Sequence, residues 1–380
     1  MTIRDYSTAT RRGRPKATNT LLAYGKSWQR YTEWCAARDT PPLPADPTHM
    51  PFYEQLLAAY LTDAAQTRTA TGGFRYARST LDSWVAAIAH HFSEAGLAAP
   101  GRSILVARAL DTAAAQRRAA GTDTDRAQPL SPETLAAIVA SIHDHTVGWK
   151  ARIAARRDIA LLLVSYAAGL RRSELVALDL GDVHPGEDGA RDRLHLRIHM
   201  SAEPTGSGID IEVGRGSAAV TCPWCALLRW MAVLAAFDRA DLAKAAGPSA
   251  EIAVQRTLRR DETPDDLHIC DREWPRFRRT AAPLFRPLDR DGLPYPERLS
   301  TRSVPLILKR RAAAAGIEPE IVEKLRGHSA RAGAATHALA AGAAPDAVAE
   351  HLRARDPRTV MAYRRTDSEV GESVAHRLGL

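Results

Sequence analysis

Residues 167–183 read Ala-Ala-Gly-Leu-Arg-Arg-Ser-Glu-Leu-Val-Ala-Leu-Asp-Leu-Gly-Asp-Val. A helix runs into this stretch from Arg156 to Ala168, apolar on nearly all sides and therefore expected to be buried. Gly169 ends it, Arg171 follows, and Glu174 and Leu175 open another helix. Beyond the stretch the period changes from helix to strand. Leu194, Leu196, Ile198 and Met200 alternate with His195, Arg197 and His199; Ile209, Ile211 and Val213 alternate with Asp210 and Glu212. A Gly/Pro/Ser-containing turn at 201–208 joins them, which predicts a hairpin. Helical pattern returns over 224–246 and 300–365, while 247–280 is charged, with a weak period, and reads as an insertion outside the core.

Upstream, the pattern is helical throughout. Leu21, Tyr24, Trp28, Tyr31 and Cys35 recur at steps of three and four and predict one apolar face. Three more helices follow over 52–65, 76–95 and 102–120. Residues 121–129 have no apolar period and read as a linker, after which Ser131 caps a new helix with Glu133 in its first turn. The expected fold is mostly α in two domains. A basic flexible arm covers 1–17, a helical domain 18–120, and a mixed α/β domain with a small antiparallel sheet 130–380.

Lys+Arg number 52 against 44 Asp+Glu, a net charge of +8, and only six of the basic residues are lysines. A basic, soluble, two-domain chain suits a polyanionic partner, though an Arg- and Ala-rich composition alone supports this only weakly. No apolar run reaches the about 20 residues that span a bilayer. Four cysteines without regular spacing do not make a disulfide framework, so a reducing cytoplasm is expected. Cys222-Pro223-Trp224-Cys225 has no second pair near it; it reads as the opening of a helix, and no metal or cofactor is expected.

Three segments carry chemistry: 167–183, Gly327 to Ala343 with His328 and Arg331 three apart, and Asp356 to Arg365 with Tyr363. Each has an ordinary reading taken singly: a surface ion pair, a helix cap, a packed ring. Together they suit one phosphate. Two guanidiniums offer planar forks of donors, an imidazole can move a proton, and nearby positive charge favours a tyrosine phenolate as nucleophile.

In order and spacing these residues resemble the tyrosine recombinase/integrase family. Gly169 to Leu175 resembles its first arginine motif, His328-Ser329-Ala330-Arg331 its His-x-x-Arg motif, and Thr359 to Tyr363 its nucleophile motif. The N-terminal helices, with Thr20, Tyr24, Trp28 and Trp34-Cys35, resemble the core-binding domain. The resemblance implies a site-specific recombinase that clamps duplex DNA between two domains, as a dimer on each site and a tetramer in synapsis. It needs no cofactor and belongs in a bacterial, phage or plasmid context. Arg171 and Arg331 would hold the scissile phosphate, His328 would transfer a proton or touch that phosphate, and Glu174 would buttress the first arginine. Tyr363 would form a 3′-phosphotyrosyl link and free a 5′-hydroxyl.

Two positions depart from the family. Its hairpin lysine, the general acid, is replaced at the matching turn by Ser201-Ala202-Glu203, and no lysine lies between Lys150 and Lys244. Its His or Trp nine residues before the tyrosine is Ala354 here, with His351 one helical turn further back. His199, Arg197 and His351 are the substitutes the sequence offers. Loss of a general acid costs about 10²–10⁴-fold. A relative that keeps DNA binding and has weak or no chemistry is the alternative reading.

Overall fold

A computed structural model describes residues 18–121, 127–185, 193–199, 208–243, 249–260, 267–354 and 358–364. The basic arm at 1–17, most of the hairpin turn with Ala202, and residues 122–126 of the expected linker lie outside the described residues. The chain divides into two compact units, with the boundary between positions 125 and 126.

The first unit is four helices: α1 (Thr18–Ala36), α2 (Met50–Gln66), α3 (Arg78–Glu94) and α4 (Ile104–Ala119). Tyr31, Leu57, Leu61, Leu81, Ile88, Phe92 and Val106 are fully buried between them. Each such side chain contributes about 1.5–3 kcal/mol relative to exposure. Leu21, expected on the apolar face of α1, is exposed instead. The covered face begins one turn later, where Tyr24 meets the His90 ring and Trp28 stacks on His91 of α3. Ser103 caps α4 by accepting the Leu105 N–H.

The second unit begins with α5 (Pro132–His145), capped by Ser131 as its sequence requires, and α6 (Trp149–Ala167). Ile159 to Val164 of α6 are buried on every side, in agreement with the continuous apolar run. Asp158, fully buried on the same helix, holds Arg157, Arg310 and Arg311 in one ion-pair network. Then come α7 (Arg172–Ala177) and an antiparallel sheet in the order β1 (Val183–Pro185), β2 (Arg193–His199), β3 (Gly208–Gly214). The alternating hairpin is present, with Leu196 opposite Ile211 and Arg197 opposite Asp210. Leu194, Leu196, Ile198, Ile211 and Val213 face the core. The short strand β1 carried no alternation long enough to read.

α8 (Pro223–Ala243) is the second buried helix of this unit. Its Trp224 and Trp230 indoles donate to the Val213 and Leu284 carbonyls, each at 2.8 Å. α9 (Ala250–Arg260) lies inside the segment read as an insertion outside the core. That reading is corrected: Val254, Leu258, Ile269 and Cys270 are all buried in the main core of this unit. Val254 and Leu258 are one helical turn apart and make a single apolar stripe, which the surrounding arginines hide in composition. The unit closes with α10 (Ser303–Ala314), α11 (Pro319–Lys324), α12 (Ser329–Ala340), α13 (Pro345–His351) and α14 (Arg358–Met361).

Residues 127–129, assigned to the linker from sequence, belong to the second unit. Gln128 donates to the Lys324 carbonyl and Leu130 to that of Ser329, at 3.1 and 3.0 Å. The strand-like segment runs so close to α12 that a Cβ on Gly333 would lie 1.9 Å from the Leu130 carbonyl oxygen, so only glycine fits there. Among the described residues no helix is long and apolar enough to cross a membrane.

Candidate active site

Arg171 stands at the N-cap of α7, placed there by the turn that ends α6. Gly169 adopts φ +53°, and a Cβ on it would lie 2.5 Å from the Leu352 side chain. Glu174, one turn into α7, returns its carboxylate to the Arg171 backbone N–H at 2.8 Å and to the Arg171 guanidinium. These contacts join the Glu174 carboxylate to both the backbone and the side chain of Arg171.

Arg331 projects from the first turn of α12 and is buried, with 6% of its surface exposed. Its guanidinium donates to the Gly169 carbonyl at 2.7 Å and to the Leu352 carbonyl. Arg171 donates to the neighbouring Arg353 carbonyl at 3.1 Å. Two guanidiniums from different helices are thus fixed on two adjoining turns, 169 and 352–353. Each is held in its plane by backbone carbonyls that cannot rotate away, with the Glu174 carboxylate as a further partner of Arg171.

Arg353 is a third guanidinium in the site, and no motif announced it. Its backbone is left-handed, φ +53°, which turns its side chain inward. It donates to Glu174 at 2.9 Å, to the Gly169 carbonyl at 3.2 Å and to the His351 carbonyl at 2.7 Å. Its Nε is buried and has no hydrogen-bond partner among the described residues.

One carboxylate therefore sits among three arginines. Burial alone would raise the Glu174 carboxyl. The Arg171 N–H, the Arg353 charge and both guanidinium hydrogen bonds outweigh it and hold the group below the usual carboxylate range. Arg331 is lowered to about 10, first by burial and then by the charges of Arg171 and Arg353, with Glu174 and Tyr363 opposing. It stays protonated at neutral pH. His328 stands at the N-cap position of α12 without a side-chain capping bond and is pushed below its ordinary value by burial, then by Arg172, Arg331 and Arg171. Its imidazole is neutral at pH 7, and an arriving anion would offset those cations.

Tyr363 follows α14 and is half-buried against Ala335, Val348, Ala349, Leu352 and Val360. Thr336 of α12 donates to its carbonyl at 3.3 Å, so the tyrosine hangs from the helix that carries Arg331. Ala354 packs into the same apolar cluster and presents no donor. His351 directs Nε2 to the Ala167 carbonyl at 3.1 Å. A carbonyl only accepts, so that nitrogen carries the ring proton and braces α13 on the end of α6. Burial, and the charges of Arg353 and Arg331, lower its pKa.

Arg171, Glu174, His328, Arg331, His351 and Tyr363 thus lie in one region. Arg197 and His199 are carried on β2. Arg197 is paired across the hairpin with Asp210 at 3.1 Å, and His199 donates Nε2 to the buried Asp182 carboxylate at 2.7 Å.

A second cluster was not foreseen. Cys222 and Cys225 do open α8 as expected, but the sulfurs of Cys222, Cys225 and Cys270 and the His268 ring converge there. Reading the CxxC as having no partner near it is therefore corrected: its partners begin 43 residues on from Cys225, at His268. The sequence signal available was His268-Ile269-Cys270, a close His/Cys pair holding one of only four cysteines.

No family model matches the chain. An integrase/recombinase xerD homolog from Selenomonas ruminantium is 26% identical over 326 residues, covering 85% of this chain and 74% of that protein. Among solved structures, the Tn1549 transposon integrase in complex with transposon right end DNA aligns over 97% of this chain and 96% of its own. Its TM-score is 0.50 at 15% identity, a shared fold. The XerH site-specific recombinase bound to palindromic difH substrate aligns over 95% of this chain and 80% of its own, with TM-score 0.47 and 14% identity.

Proposed function

We infer that this chain is a tyrosine recombinase, a site-specific enzyme that cuts and rejoins DNA through a 3′-phosphotyrosyl intermediate. The observation that carries this reading is the fixing of Arg171 and Arg331 on adjoining backbone carbonyls beside Tyr363, which hangs from the Arg331 helix. Such donors are already oriented and need no rearrangement as charge builds on a pentavalent phosphorus. DNA recombination sites are the partner, and self-association on them is the mode of action. A reducing cytoplasm suits the four free cysteines.

The proposed steps use this chain's own groups. Arg171 and Arg331 hold the non-bridging oxygens. The Tyr363 phenol gives up its proton to neutral His328, and its oxygen attacks phosphorus. The bond to the 5′-oxygen breaks and that oxygen takes a proton, leaving a 5′-hydroxyl and the phosphotyrosyl ester. Attack by a 5′-hydroxyl from the other strand reverses the sequence, so no ATP is required. Arg353 acts as a positioning residue through Glu174 and Arg171.

The leaving-group proton is the weak point, since the family's lysine is missing. His199, on the last position of β2 and oriented by Asp182, is the proposed donor. A nicked suicide substrate should trap DNA on Tyr363, and Tyr363→Phe should abolish trapping while leaving DNA binding intact. A substrate with sulfur at the 5′-bridging position leaves without an acid. His199→Ala should slow the normal substrate by about 10²–10⁴-fold and spare the sulfur one. Equal slowing of both would remove His199 from this role. No trapping on a verified binding site would overturn the enzyme reading in favour of a DNA-binding relative.

A further inference from the structure

The cysteine and histidine cluster has the composition and the spacing of a closed metal site. Cys222 Sγ lies 3.5 Å from Cys270 Sγ, and Cys225 Sγ lies 3.3 Å from it. The His268 Nδ1 is 3.6 Å from both Cys225 Sγ and Cys270 Sγ. All four ligand atoms fall within 4.8 Å of one another. A tetrahedral zinc with sulfur at about 2.3 Å and nitrogen at about 2.0–2.1 Å needs ligand edges of roughly 3.5–3.8 Å. A disulfide would need about 2.05 Å, could join only two of three sulfurs, and would strand the third against a histidine.

The surroundings suit thiolates. Backbone N–H groups of Gly216 and Ile269 point at Cys222 Sγ and Cys225 Sγ, at 3.4 and 3.3 Å. Such bonds stabilise charge on coordinated sulfur and fix its direction. A Cβ on Gly216 would lie 2.7 Å from Cys222 Cα, so glycine is what lets that N–H approach. Arg215 reaches the same place, pairing with Asp271 at 2.8 Å beside Cys270. Three thiolates and one divalent ion carry a net negative charge that a guanidinium there offsets.

We propose that Cys222, Cys225, His268 and Cys270 bind one zinc ion, which ties the 267–270 segment to the start of α8. Three sulfurs and one nitrogen select zinc among divalent metals and leave no position for water, so the ion is structural. This proposal is independent of the DNA chemistry, since none of its residues belongs to the arginine site.

The test uses the full-length protein, expressed in zinc-supplemented medium and purified without chelator. Elemental analysis should give one zinc per chain. Exchange with cobalt(II) should give the strong visible bands of a tetrahedral site and a thiolate-to-cobalt charge-transfer band. His268 is exposed, so His268→Ala should still fold. It should release zinc to a competing chelator more readily than the about 10–100-fold typical for loss of an outer hydrogen-bond partner. His268→Cys should restore retention. Chelation of the parent protein should lower its Tm, with DNA-independent methods as the readout. Absence of bound metal together with no cobalt–thiolate band overturns the site. So does one zinc per chain that His268→Ala and Cys222→Ser both retain unchanged. Iron in place of zinc overturns the metal's identity.

Discussion

Two clusters in the second unit force groups together that would avoid each other in isolation, and they resolve the conflict differently. Around Arg331, three guanidiniums are crowded, yet each is answered by the protein: backbone carbonyls at 169, 351, 352 and 353 and the Glu174 carboxylate. Around Cys270, the three thiols and the imidazole face one another, with two backbone N–H groups behind them. The first is organised before any ligand arrives, as a site that must stabilise a transient charge has to be. The second has its polar atoms turned inward on an ion-sized space, as a site that holds a permanent charge has to be. A working site and a structural site can thus be told apart by where their hydrogen bonds go.

The sharpest way to break that contrast is to remove the part of the arginine site that the protein has answered most fully. Arg331→Ala should reduce cleavage by about 10²–10³-fold, the usual effect of losing one oriented donor to the reacting group. It should also destabilise the unit, because the buried Leu352 carbonyl is left unpaired at about 1–3 kcal/mol, while the Gly169 carbonyl keeps Arg353. Arg331→Lys keeps the charge and loses the fork, so a variant as active as the parent would show that charge alone matters. Single-turnover cleavage and chemical denaturation, run in parallel, separate the two effects.

Next in size is Glu174→Ala. Glu174 and Arg353 are nearly fully buried, at 9% and 4% side-chain exposure, while Arg171 is about a third exposed. Removing the carboxylate leaves Arg353 buried without its ion-pair partner, a loss of about 3–5 kcal/mol. Urea midpoints check this, and Glu174→Ala combined with Arg353→Ala should recover part of the loss. A double variant as unstable as the sum of its parents would mean the two are not coupled.

What the sequence disclosed follows from how locally each feature is encoded. The continuous apolar run of α6 and the alternation of β2 and β3 are periodic over many residues, so they were legible. The arginines, histidine and tyrosine were legible because they resemble a known order, not because any one residue declares itself. Arg353 was not legible: an ordinary arginine gives no hint that its backbone is left-handed and its side chain turned inward. α9 was missed because its stripe is only Val254 and Leu258 among charged residues. The thiol cluster was missed because its halves are far apart in the chain and only the packing of Ile269 beside α8 joins them.

A smaller effect concerns pH. His328 is lowered by burial first and then by three arginines, and His351 by burial first and then by Arg353 and Arg331. Their folded pKa values lie below the ordinary value of about 6.5, so the unfolded chain binds protons that the folded one refuses. Stability is full above that value and is lost as pH falls through the depressed folded values. Glu174, also lowered, adds a second loss below its ordinary value of about 4.3. Melting curves should show His328→Asn reducing the first loss and leaving the second. DNA should weaken the first loss too, because a phosphate beside His328 favours its charged form. An unchanged pH profile in His328→Asn would place the titration elsewhere.

The smallest effect is expected on the hairpin, where the charges are exposed and pair across the strands. Arg197 and Asp210 are directly opposite on β2 and β3, and both guanidinium contacts, at 3.1 and 3.2 Å, reach the same carboxylate. Their side chains are about half exposed, at 49% and 47%. Such a pair contributes about 0.2–1 kcal/mol, less at high salt, so Arg197→Ala should barely move the Tm. DNA binding offers a finer reading of the same residue. If the hairpin meets the DNA backbone, Asp210 competes with a phosphate for Arg197. Asp210→Asn should then tighten binding. Arg197→Ala should flatten the slope of log K against log salt by about one phosphate's worth, close to 0.9. The two variants therefore push affinity in opposite directions while leaving stability almost level. Movement of affinity in the same direction for both would mean that the pair serves the sheet alone and that the hairpin does not touch the backbone at Arg197.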